Sequence, residues 1–172
     1  MQHFPRHRTR LFWKKMNTLQ LLRAIKTLPV TATGVFPADR IPVRWPRPYC
    51  LIANTDNRDK PGVQWIAVYL NDHGNAIYFD SYGLPPLVRH HNQRIRTNSN
   101  TYKWNSKRLQ SFNSTVCGQY CLMFLYYMSY GYSLENFCNV FSDDCKSNDK
   151  IPKFRNNRMY KNGVAKGYGK NM

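Results

Sequence analysis

The chain of 172 residues is 42% hydrophobic and 15% aromatic, a composition that suits one folded domain with a sizeable core and excludes a disordered chain. Its longest fully apolar run, Cys121–Met128, is eight residues, too short to cross a bilayer, and its basic start lacks the apolar stretch of a signal peptide. The net charge of +17 is concentrated at the ends: residues 1–15 carry five Lys/Arg, residues 150–172 carry seven, and neither segment has an acid.

These numbers divide the chain into a basic leader (1–15), a folded domain (16–149) and a basic tail (150–172). Basic ends of this kind suit polyanions, DNA above all, through phosphate neutralisation. Five cysteines (50, 117, 121, 138, 145) leave at least one unpaired, and with no secretion signal the expectation is free thiols in a reducing, intracellular compartment, the nucleus being compatible with the basic ends. No membrane partner is expected. Cys117 and Cys121 have no neighbouring histidine or CxxC partner, so neither a metal nor another cofactor is called for.

In chain order, Asn17 or Thr18 caps a helix whose apolar positions 21, 22, 25 and 28 form one stripe, and Pro29 stops it. A proline-rich loop follows, too dense in proline for a central strand. "YCLIAN" (49–54), "WIAVYL" (65–70) and "AIYFD" (76–80) read as strands, the last two joined by the hairpin signal "NDHGN". "SYGLPP" breaks the sheet, and residues 87–100 are polar and ambiguous. "TYKW" and "KRLQ" are short strand candidates. From Thr115 to Tyr130 an apolar stretch follows Ser/Thr caps and predicts a central buried helix, and Ser133 caps a second helix. The fold class is α+β: a central, mostly antiparallel sheet packed on a buried helix that carries a cysteine.

Cys117 opens that helix in "STVCGQYC". A thiol at a helix N-terminus feels the positive end of the dipole, which lowers its pKa, and Gly118 lets a backbone approach. A core cysteine would explain the same residue. Gln110, seven positions earlier, is placed to donate to a developing oxyanion, although glutamines in loops are more often solvated. Asp80, at a strand end, either orients a neighbouring ring or caps the turn through Ser81 or Gly83.

Taken together and in order, "LLRAI", "GVFPADRIP", "LIANTD", "GVQWIAVYL", "YFDSYGLPP" and "QSFNSTVCGQYCLMFL" resemble the adenain/Ulp-like cysteine proteases. The resemblance covers roughly residues 19–145 and is strongest to the adenovirus-type enzymes and those of large self-synthesising (Polinton/Maverick-type) DNA transposons. Such enzymes carry a His-Trp pair, an acid at a strand end, a glutamine, and a cysteine followed by glycine. The resemblance implies a cysteine endopeptidase acting on a polypeptide, with Cys117 as nucleophile, Asp80 as orienting acid and Gln110 in the oxyanion hole. It also implies a histidine before Trp65, where this chain has Gln64. Glutamine has no group that titrates near neutral pH, so the general base is missing and impaired catalysis is expected. His73 falls in the hairpin turn, His3 and His7 in the leader, and His90 and His91 in the ambiguous segment, which makes the last two the candidates for a substitute base. Three functions stand: a protease domain without its base, an active thiol protease using another base, and a nucleic-acid-associated protein whose basic tails hang on a protease-like platform.

Overall fold

The computed structural model describes residues 15–152 of the chain. The leader up to residue 14 and the tail from residue 153 lie outside the described residues, and with them most of the charge read from the sequence.

A five-stranded sheet runs in spatial order β1 (Thr33–Phe36), β2 (Tyr49–Asn54), β3 (Trp65–Leu70), β4 (Asn75–Phe79), β5 (Thr101–Trp104). The three central strands pair antiparallel, as expected. The two edge strands, however, pair parallel to their neighbours, so the sheet is mixed. Alternating side chains divide between two cores. Cys50, Ile52, Trp65, Ala67 and Phe79 enter one core with α1 (Thr18–Ile25), α3 (Cys117–Ser129) and α4 (Leu134–Cys138). Leu51, Ala53, Ile66, Val68 and Tyr78 enter the other, beneath Ile95 of α2 (Arg89–Asn98). Covering on both faces explains why "YCLIAN" and "WIAVYL" read as unbroken apolar runs instead of alternating ones.

Local chemistry sets the element ends. The Asn17 side chain accepts from Gln20 N while Gln20 returns a bond to Asn17 N, a complete capping box for α1. Ser133 and Asn136 repeat the device for α4. α3 differs from expectation. It starts at Cys117 itself, behind Val116, and no side chain caps it. Its first N–H groups are therefore left to other partners. It is buried along almost its whole length, with Phe124 stacked on Phe79 at 4.8 Å between ring centres and Phe137 edge-on to both.

Three further expectations are corrected. The proline-rich segment contains β1, in the proline-free stretch 33–36, at the sheet edge where few ladder bonds are required. Residues 107–110 form no strand, because the N–H groups of Leu109 and Gln110 both go to one carbonyl, that of Ser81, and no ladder forms. The ambiguous segment is helix α2. Its buried residues His91, Ile95 and Asn98 have helical spacing, but only one of them is apolar, so hydrophobic periodicity gave no signal. A short helix, α5 (Cys145–Asn148), follows α4. Among the described residues no helix is long and apolar enough to cross a membrane.

Candidate active site

The start of β3, the end of β4 and the start of α3 meet at one end of the interior strands. Gln64 immediately precedes β3, Asp80 immediately follows β4, and Cys117 is the first residue of α3. All three are nearly inaccessible, as is Gln110. The antiparallel register of β3 and β4 makes Gln64 and Asp80 diagonal neighbours. Gln64 Nε2 donates to Asp80 Oδ1 at 2.8 Å.

Asp80 is held from all sides. Its backbone N–H donates to Asn105 Oδ1 at 3.1 Å, and its carbonyl accepts from Asn105 Nδ2 at 2.6 Å. Oδ1 also accepts from Tyr82 N at 2.7 Å, while Gly83 N donates to the Asp80 carbonyl at 2.8 Å. Of the two readings of this residue from sequence, the carboxylate caps the turn, but through the Tyr82 N–H and not through Ser81 or Gly83. Burial pushes the Asp80 carboxyl up to about 6, and the Tyr82 N–H and the Gln64 amide pull it partly back.

Ser81, which the sequence singled out only as a turn partner, links the parts. Its hydroxyl donates to Gln110 Oε1 at 2.6 Å and lies 3.5 Å from Gln64 Nε2. Its carbonyl accepts from Leu109 N and Gln110 N at 2.9 and 3.0 Å. Gln110 Nε2 in turn donates to the Ser114 carbonyl at 2.8 Å. A buried chain of hydrogen bonds therefore runs from Asp80 through Gln64 and Ser81 to Gln110. The signal for Ser81 was its place in "FDSYG", directly after the acid.

Cys117 stands beside this chain. The backbone N–H of Trp65, the residue after Gln64, points at Cys117 Sγ at 3.5 Å. Trp65 Nε1 donates to the Met16 carbonyl at 3.1 Å. A side chain at position 118 would come within 3.2–3.5 Å of Leu21, Met16 and Trp65, so Gly118 lets the helix start pack closely on the strand. The sequence reading of a lowered thiol pKa is corrected here. Burial pushes the Cys117 thiol up and outweighs the pull of the Trp65 and Gly118 backbone N–H groups, the Lys15 charge and the backbone N–H of Cys117 itself. Cys117 is only 4% exposed, and desolvation penalises the thiolate more than the N–H groups around it favour it.

The histidines among the described residues lie on other elements, with His90 half-buried on α2. His73 sits exposed in the β3–β4 turn, at the opposite end of β3 from Gln64. His91 is buried on α2, against the second core, with Nε2 2.9 Å from the Asn54 carbonyl and Nδ1 unpartnered. Burial depresses it to about 4, so its neutral form dominates at physiological pH. His3 and His7 lie outside the described residues. On the Trp65 side a cavity of about 390 Å³ opens, lined among others by Thr18, Asn54, Arg58, Lys60 and Gly62. Val63 and Phe112, on the loops that carry Gln64 and lead into Cys117, are 72% and 74% exposed.

Comparison with known proteins follows the same lines. A protease of Bovine adenovirus C serotype 10 is 31% identical over 91 residues, covering 45% of this chain and 46% of that protein. This partial similarity falls in the same direction as the motif resemblance read from the sequence. It spans about half the length of the curated relative it matches. No family model matches the chain. Among solved structures it is similar to the crystal structure of an ASFV protease, with 22% identity and a TM-score of 0.41, covering 61% of this chain and 42% of that one. Gln64 is the position at which the chain departs from the motif pattern that its sequence resembles.

Proposed function

We propose that the chain is an adenain/Ulp-like cysteine endopeptidase domain whose catalysis is impaired by glutamine at the base position, and that it retains the grip on a polypeptide. In this reading Cys117 is the nucleophile, Asp80 the acid that would orient an imidazole, and Gln110 the oxyanion donor. The observation that carries it is the 2.8 Å bond from Gln64 Nε2 to Asp80 Oδ1. The amide makes the contact to the acid that a ring N–H would make, so the geometry around the position persists without its chemistry. A thiol that attacks a peptide carbonyl must first lose its proton, and the departing amine must gain one. An amide side chain does neither near neutral pH. His91 does not replace it, since its Nε2 is committed to the Asn54 carbonyl. The exposed Val63 and Phe112 flank the site and suit a bound peptide with apolar side chains.

The test is cleavage of a mixed peptide library by the wild type and Gln64→His at equal concentration. Little or no turnover is expected from the wild type. Gln64→His should gain about 10²–10⁴ in rate, the usual worth of a positioned general base. The gain should vanish in Gln64→His/Cys117→Ala and shrink in Gln64→His/Asp80→Ala. Robust wild-type cleavage that Cys117→Ala abolishes would establish the rival reading, an active thiol protease with another base.

The charge of the ends favours a second property compatible with the first. Twelve of the 26 Lys/Arg lie in residues 1–15 and 150–172, and we propose that these segments contact DNA, with a nuclear location and a transposon-type origin in keeping with that partner.

A further inference from the structure

We propose that the cavity beside Trp65 is a subsite for a carboxylate side chain, Asp or Glu, of the bound polypeptide, with Arg58 and Lys60 as the residues that select it. This deepens the reading of the site as one that grips a polypeptide, and rests on it. The cavity holds about 390 Å³, within the ~300–1,000 Å³ range of ligand pockets. Trp65 and Gly62 form its wall next to the site. The Trp65 N–H points at Cys117 Sγ at 3.5 Å, and Gly62 lies two residues before Gln64. A peptide laid across Cys117 therefore passes the cavity within a few residues of the sulfur.

The other walls come from the short 3₁₀ helix Ala38–Arg40 and the turn after β2, and backbone bonds tie them together. Ala38 N donates to Asp56 O at 2.9 Å, Arg58 N to Asp39 Oδ1 at 2.8 Å, and Thr55 N to Gln64 O at 2.9 Å. Three cations line the cavity, Arg40, Arg58 and Lys60, against one acid, Asp56. Arg40 is matched by Asp39, with Nε 3.7 Å from Oδ2. Arg58 and Lys60 are exposed and form no ion pair among the described residues. Lys15 adds a further cation at this wall, where its Nζ donates to Gly62 O at 2.7 Å. Asp59, between Arg58 and Lys60, is exposed and does not line the cavity. The balance is positive, and a carboxylate is the unmodified side-chain group that carries a negative charge at neutral pH and accepts from such donors.

The test is binding of the labelled full chain to an array of capped decapeptides. A leucine held at one position sets the register, and every other position carries Glu in one peptide and Gln in its match. The wild type should favour Glu over Gln by about fivefold, the worth of a partly solvated charge pair, at one position or two adjacent ones. Arg58→Gln/Lys60→Gln should lose that preference and keep its affinity for the Gln peptides. Arg58→Lys/Lys60→Arg, which keeps the charges, should follow the wild type. So should Arg155→Gln/Arg158→Gln, which removes the same charge from the basic tail. A Glu preference spread over all positions, or lost equally in the tail variant, would mark general attraction to the basic ends and overturn the proposal. Peptide binding that ignores Glu overturns it and leaves the polypeptide grip standing. Absence of binding to every peptide refutes the grip and the subsite together.

Discussion

Asp80 is a buried acid with an amide for a partner instead of a ring, and this has a measurable consequence. Its folded-state pKa is raised from 3.8 to about 6, with burial as the main cause. A carboxyl raised in the folded state binds more protons folded than unfolded. Its contribution is therefore present in full below the unfolded value and is lost as pH rises through about 6. From the size of the shift, the loss between about pH 4 and pH 7 is on the order of 2 kcal/mol. Asp80→Asn removes the ionisation and keeps an oxygen for the Gln64 and Tyr82 donors. Urea unfolding at stepped pH should show the variant gaining on the wild type by that amount as pH rises. Parallel profiles would mean that Asp80 titrates normally. In Gln64→His the same acid would face an imidazolium, which would lower its pKa and reverse the trend.

At the scale of elements, the turn after β4 holds the site together. Gly83 has φ +76, and a Cβ there would lie 2.8 Å from the Lys107 backbone carbon. Residues 107–110 in turn hang on Ser81 through the Leu109 and Gln110 N–H groups. Gly83→Ala should cost about 1–3 kcal/mol through strain alone. It should also push the Gln110 segment off Ser81. Both effects are readable together, by thermal unfolding and by faster amide exchange at Leu109 and Gln110. Destabilisation with unchanged exchange there would separate the turn from the loop. A cap away from the site provides the contrast. Ser133→Ala removes the α4 capping box and should cost about 1 kcal/mol while leaving exchange at Leu109 and Gln110 untouched.

For the whole molecule, the question is how the charged ends relate to the folded body. Lys15 bonds to Gly62 and Ile151 packs against the first core, so both belong with the body. Asp149 receives bonds from Tyr120 and Ser111. A chain trimmed to residues 15–152 keeps these contacts and should fold. It should bind DNA more weakly than the full chain and with a shallower dependence on salt, since fewer counterions are released. Equal affinity and equal slope for the two chains would move any DNA contact onto the body.

The strands β2 and β3 were legible in the sequence to the residue, because burial on both faces leaves long apolar runs bounded by turn residues. The order of Gln64, Asp80, Gln110 and Cys117, and the absence of histidine at the first of them, were likewise legible, since motif spacing is a property of the chain. Parallel pairing at both sheet edges was not, because pairing partners are chosen by long-range packing and no local signal encodes direction. Helix α2 stayed hidden because its buried face is made of His91, Ile95 and Asn98, two of which are polar and reach across to the carbonyl of Asn54 and the backbone of Trp45. The thiol of Cys117 shows the same division. Its place at a helix start is written in the sequence and argues for a lowered pKa, but burial depends on what packs over it. Met16, Trp65 and Leu21 close around the helix start from distant parts of the chain, and the desolvation they impose decides the sign.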